Sequence, residues 1–143
     1  MTPTVPQLLL GNFMSLIEPP PPEAMGEFMA GRVAVTGMIS LLAAQEAEKG
    51  IEARLWENSA IRAVLSRSSI DYGERFKAAG KGHDTDFTLT ALDTANATLR
   101  RELIALHEMA ESRGDTKLHK EIIALYVKMA EARRLDMPPL PGS

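Results

Sequence analysis

Apolar residues recur at helical spacing along this chain, and they are densest between Glu23 and Lys49. Charge is almost absent from residues 28–45, and a helix that is apolar on most sides is typical of a protein interior. We therefore predict that residues 23–49 form the central helix of the fold. At helical spacing its residues separate into two lines. The small-residue line contains Gly26, Ala30, Ala34, Gly37 and Ala44, and the bulky line contains Phe28, Val35, Ile39 and Leu42.

The small-residue line predicts close contact with a neighbouring helix, which belongs either to the same chain or to a second copy. Each internal glycine costs about 0.5–1 kcal/mol of helix propensity relative to alanine, so tertiary contacts must stabilise the segment. A membrane span is the competing interpretation. The charge-poor segment falls short of the ~20 apolar residues that a span requires, and it contains Arg32, Thr36 and Ser40. We expect no membrane span.

Shorter patterned segments flank the central helix. Apolar spacing predicts a short helix over Val5–Ile17, followed by a proline-rich connection up to residue 22. Gly50 is placed where a glycine often ends a helix, so we predict that a separate helix covers Ile51–Ser68. The three glycines between residues 69 and 83 predict irregular structure, with at most a short helix over Tyr72–Ala79.

The last third of the chain predicts a helical hairpin. A long helix is expected to start at Thr85 or Asp86, and Gly114 followed by Asp115 marks the end of one helix and the cap of the next. Residues 87–134 should therefore form two antiparallel helices. We predict that the whole chain, residues 1–143, is one all-α domain. It should be a bundle of about five helices with a Pro-rich tail from residue 137.

Composition narrows the classes of function. The chain has no cysteine, which excludes disulfides, thiolate metal sites and cysteine nucleophiles. Its net charge is −3 and its basic residues alternate with acids, so we expect no nucleic-acid partner. The first basic residue is Arg32, so the start lacks the positive region of a signal peptide. These features favour a cytoplasmic location.

Arg32 is the sharpest candidate for a site, because it shares the bulky line of the helix predicted to be most buried. A buried guanidinium needs a partner, since an unpaired buried charge is very costly. An internal ion pair or a subunit contact is one solution, and the acids considered for it are Glu57, Glu74 and Asp93. The other is a ligand carboxylate or phosphate.

Three further residues accompany Arg32 as candidate ligand-binding positions, namely Asn96, His107 and Tyr126. Asn96 falls on the core-facing stripe of its helix, where a polar group either fixes register or contacts a substrate. His107 opens a His-Glu-x-x-Glu sequence, which has the first two positions of a zinc-protease motif but lacks its second histidine. We therefore predict no metal, no cofactor and no catalytic residue.

Two functional hypotheses remain. The preferred one is a non-catalytic interaction or accessory protein that self-associates as a homo-oligomer such as a dimer, because the central helix is apolar and no catalytic constellation is present. The alternative is a bundle that binds a small carboxylate or phosphate, or an enzyme, with Arg32 as its anion anchor. Of the two, we favour a protein that is not an enzyme.

Overall fold

The helical spacing of the sequence becomes five α-helices in the computed structural model, which describes residues 5–17, 23 and 26–139. They are α1 (Val5–Ile17), α2 (Glu27–Tyr72), α3 (Glu74–Gly80), α4 (Leu89–Ser112) and α5 (Thr116–Ala132). No strand occurs among those residues. The predicted all-α class is confirmed, with its five helices, its long apolar helix and its C-terminal hairpin. The proline run of residues 19–22 and the tail beyond residue 139 lie outside the described residues.

The predicted helix end at Gly50 is wrong, because α2 continues through Gly50 to Tyr72. A glycine inside a helix costs only about 1 kcal/mol, and it ends a helix when its backbone turns left-handed. That happens at Gly73, whose φ is +109° and which separates α2 from α3. The two helices predicted on either side of Gly50 are therefore one.

Contacts divide the chain into two compact units, residues 1–50 with 135–143, and residues 51–134. In the first unit α1 packs on the beginning of α2. Phe13 of α1 is buried, as are Leu41 and Ala44 of α2. The prediction of a single domain over 1–143 stays a prediction.

The second unit is a bundle built from residues 51–72 of α2 and from α3, α4 and α5. Its core contains Ile61, Val64, Leu65, Phe76, Leu99, Leu103, Leu106, Ala110, Leu118, Ile122, Leu125 and Met129. The hairpin turn is the predicted one. Gly114 is left-handed, with a φ of +67°, and the Asp115 carboxylate accepts a hydrogen bond of 3.0 Å from the Leu118 amide.

The short helix allowed over Tyr72–Ala79 is present as α3, and its Phe76 is buried in the core. One helix start in this unit differs from prediction. The long helix begins at Leu89 rather than at Thr85 or Asp86. Its cap is Thr88, whose hydroxyl accepts a hydrogen bond of 3.3 Å from the Ala91 amide.

Candidate functional site

The bulky line of α2 lies on the surface, and with Arg32 it forms a continuous exposed stripe that we call the seam. Phe28 is 77% exposed and Leu42 is 52% exposed, and Val35 and Ile39 are exposed between them. The prediction that this line and Arg32 are the most buried part of the chain is therefore wrong. Helical spacing marks an apolar face but does not say whether the same chain covers it.

Arg32 has neither the surroundings nor the partners predicted for it. It is exposed, and its guanidinium carbon lies 5.8 Å from the centroid of the Phe28 ring. The three acids proposed as partners bind other cations. Glu57 pairs with Arg100 and Arg133, Glu74 with Lys77, and Asp93 with Arg54. A shallow surface depression of about 460 Å³ surrounds Arg32, lined by Glu27, Phe28, Gly31, Arg32, Val35 and Thr36.

The small-residue line meets a neighbour within the same chain. A Cβ atom added at Gly37 would lie 3.4 Å from the Cβ of Leu16, an ordinary contact distance, so this part of the line faces α1. Nearby, the Asn12 side-chain amide donates a hydrogen bond of 2.6 Å to the Ser40 hydroxyl. The contact predicted for this line is thus made by α1 at Gly37, and the bulky line is left uncovered.

A buried polar network lies in the second unit and includes Asn96, one of the predicted site residues. The carboxylate of Glu57, which is 0% exposed, accepts hydrogen bonds of 2.8 Å from Asn96, 2.7 Å from Arg100 and 3.0 Å from Arg133. The Asn96 amide also donates to the Asn58 side-chain oxygen at 2.9 Å. Burial would raise the pKa of Glu57, but the three hydrogen-bond donors outweigh it and hold that pKa below its usual value. Asn96 therefore orders α4 on α2.

A second, partly buried pair extends this network to the segment before α4. Arg62 holds Asp84 through two hydrogen bonds of 2.8 and 3.0 Å. Asn58 donates a third, of 3.2 Å, to the same carboxylate. The hydrogen bonds from Arg62 are the main reason that the pKa of Asp84 lies below its usual value. Together these groups fix the irregular segment before α4 to α2.

His107 and Tyr126 lie next to each other on the hairpin. The centroids of their rings are 5.6 Å apart, and burial raises the pKa of Tyr126 above its usual value. Tyr126 also lines a cavity of about 460 Å³ together with Arg100, Ile104, Met129, Ala130 and Arg133. Arg32 belongs to the other compact unit. The predicted ligand site at these residues stays a prediction.

Sequence reasoning missed one residue of this group. His119 of α5 lies against His107, with 2.9 Å between Nε2 of His107 and Nδ1 of His119. The signal was present in the predicted hairpin: the two histidines are each six residues from Arg113, at the turn. An antiparallel hairpin brings residues equidistant from its turn to the same level.

By length and composition alone, α2 also qualifies as a helix that could cross a membrane. Its qualifying 18-residue window has a mean hydropathy of 1.3, and 22% of that window is buried. An exposed apolar surface of this kind is compatible with a protein partner or with lipid, and the predicted absence of a membrane span stays a prediction.

Comparisons of this chain with protein-family models, with curated proteins and with solved structures found no match. The function is therefore inferred from the molecule itself.

Proposed function

We propose that this chain is a non-catalytic interaction protein of the cytoplasm that self-associates as a homo-oligomer through the seam of α2, with a dimer as its basic form. The observation that carries the proposal is the exposure of Phe28, Val35, Ile39 and Leu42 along one stripe. Contiguous apolar surface on a soluble protein marks an interaction site. Burying each such side chain gains about 1.5–3 kcal/mol, so four of them on each copy supply a substantial driving force.

The spacing of the seam fits pairing with another helix. Phe28, Val35 and Leu42 are seven residues apart, and Arg32 and Ile39 fall between them at the same interval. A coiled coil has two core positions in each seven-residue repeat, separated alternately by three and four residues. Arg32 and Ile39 occupy one of these positions, and Phe28, Val35 and Leu42 occupy the other. A charged residue in one core position selects register and orientation at some cost in stability.

Charge favours a second copy in antiparallel orientation. One step beyond the seam this pattern reaches Glu46, so a cation lies near one end of the seam and an anion follows its other end. An antiparallel two-fold pair brings Arg32 of each copy towards Glu46 of the second copy, and it does so twice by symmetry. Parallel pairing instead brings like charges together, which is unfavourable.

Charge reversal tests the orientation. Sedimentation equilibrium should show a dimer for the native chain, and Arg32→Glu and Glu46→Arg should each weaken it about tenfold or more through like-charge contacts. The double variant Arg32→Glu/Glu46→Arg should recover most of the lost affinity. Glu48→Arg, an exposed change on the same helix outside the seam, is the matched control and should leave the dimer unchanged.

Two results would overturn the proposal. A double variant as weak as the single variants would reject antiparallel pairing. A native chain that is monomeric at all concentrations, yet sediments with neutral phosphatidylcholine vesicles, would show that the seam is a lipid-binding surface instead.

Arg32→Met separates self-association from the alternative of a small-anion site. Combined with Glu46→Met, so that neither charge of the proposed Arg32–Glu46 contact is left alone in the interface, this change should preserve or strengthen the dimer. The same change should abolish any stabilisation of the chain by inorganic phosphate or a small carboxylate if Arg32 is an anion anchor. The two hypotheses thus predict opposite outcomes for one variant.

A further inference from the structure

Two histidines and a glutamate converge near the turn of the α4–α5 hairpin. His107 and Glu111 are one helical turn apart on α4, and His119 faces them from α5. Their ring nitrogens and a carboxylate oxygen all lie within 4.8 Å of one another. The site lies within the second unit and is independent of the seam.

The distances among the three atoms fit a first coordination shell. Nε2 of His107 lies 2.9 Å from Nδ1 of His119, and Oε1 of Glu111 lies 3.8 and 3.5 Å from these two nitrogens. A point equidistant from the three atoms is about 2.0 Å from each, which equals the bond lengths of zinc to imidazole nitrogen and carboxylate oxygen. The spacing of the three donor atoms therefore suits a small ion.

The close approach of the two rings is itself informative. At 2.9 Å the facing nitrogens are compatible only when one carries a proton and the other does not. A divalent cation removes that restriction, because both neutral imidazoles then direct lone pairs at the same ion. The Glu111 carboxylate adds the negative charge that offsets part of the charge of the ion.

The surroundings allow the ion to enter and to keep an open position. His107 is mostly shielded, with 15% of its side chain exposed, whereas the side chains of His119 and Glu111 are 40% and 57% exposed. Because Glu111 and His119 are partly exposed, water can reach the ion as a fourth ligand, and the ion then lies slightly out of the plane of the three protein atoms. All three ligands stand on regular helices, which hold them more precisely than a loop would.

We propose that His107, Glu111 and His119 bind one divalent transition-metal ion, with zinc as the favoured ion. Imidazole nitrogen suits zinc better than the oxygen-preferring ions magnesium and calcium. Because the ligands come from both helices, the ion clamps α4 to α5 beside their turn. Binding to the folded state alone stabilises that state.

The site is tested by titrating zinc into the 143-residue chain, which carries no tag and has been freed of metal with a chelator. A chromogenic chelator competes for the zinc and reports how much is bound. One ion should bind per chain. His119→Ala should weaken binding about 100-fold, and Glu111→Gln, a change at an exposed side chain, about tenfold, since each removes one ligand. His83→Ala is the matched control, because His83 is exposed and lies outside the cluster, and it should bind zinc like the native chain.

Cobalt supplies an independent readout of geometry. Cobalt(II) in this site should show the strong visible absorption of a four-coordinate ion. Glu111→Gln should change that spectrum, and it keeps the test informative if His119→Ala does not fold. Zinc should also raise the melting temperature of the native chain, and it should raise that of Glu111→Gln by less. The proposal is overturned if no zinc binds at micromolar concentration, or if His119→Ala and Glu111→Gln bind it like the native chain.

Discussion

The two parts of α2 differ in which side chains they bury: the first exposes apolar side chains, and the second buries polar ones. Residues 27–50 place large apolar side chains on the surface, with Phe28 77% exposed, whereas residues 51–72 bury Glu57 and Asn58 completely. In the first part the apolar surface that helical spacing normally directs inward is exposed. In the second part a charged group is inside because every polar atom around it is satisfied. Apolar character in this helix therefore does not by itself mark the core of the chain.

The buried polar part depends on complete hydrogen bonding. Glu57 accepts from one amide and two guanidinium groups, and no buried side-chain polar atom lacks a partner in the described part of the chain. Removing one member of a buried charged network leaves the rest uncompensated, which costs far more than the intact network contributes. The network thus specifies how α4 and the residues after α5 pack on α2.

The largest expected effect is therefore the loss of Glu57. Glu57→Ala should lower the free energy of unfolding by about 3–5 kcal/mol, because it opens a cavity, leaves one amide hydrogen of Asn96 without its acceptor and removes the anion that pairs with two partly exposed guanidinium groups. Urea denaturation measures this loss of stability. Glu52→Ala, which removes an exposed glutamate of the same helix, should change stability by less than about 0.5 kcal/mol. Equal losses in the two variants would contradict the account of the network.

Two neighbouring leucines sharpen the same comparison within the first unit. Leu41 is 2% exposed and Leu42 is 52% exposed. Leu41→Ala should cost about 2–5 kcal/mol of stability through lost burial and a cavity. Leu42→Ala should leave the unfolding of the monomer almost unchanged while weakening self-association. Denaturation at low protein concentration and sedimentation at high concentration measure the two effects separately, and the reverse pattern would show that the seam is internal.

The smallest expected effect is the pH dependence of the buried network. The pKa values of Glu57 and Asp84 are lowered in the folded state, so their contribution to stability is complete above their unfolded pKa values and is lost as the pH falls through the folded ones. Stability should be level from neutral pH to about 5 and should decline below about pH 4. Glu57→Gln should make that decline shallower, and an unchanged slope in urea denaturation would contradict the assignment.

Much of the fold was predictable because helical spacing and turn chemistry are local. The bounds of α1 and the turn at Gly114 follow directly from them. Gly50 was misjudged because a glycine ends a helix only when its backbone leaves the helical region, and sequence does not state its backbone angles.

The sites were harder to predict because they depend on which segments meet. Arg32 is exposed because α1 covers the side of α2 that carries Gly37, and spacing alone does not choose between the two sides. Asn96 was correctly placed facing the core, yet its partners Glu57 and Asn58 lie on another helix, 39 and 38 residues away in the sequence. His119 was missed because a motif is searched along one helix, whereas this group spans two.

The molar mass of the native chain in solution tests the central claim most directly. Size-exclusion chromatography with light scattering at micromolar concentration should give twice the chain mass of 15.6 kDa, and Ile39→Glu in the middle of the seam should return it to the mass of one chain while the helical content stays the same. A native chain that elutes with the mass of a monomer at every concentration would contradict self-association through α2.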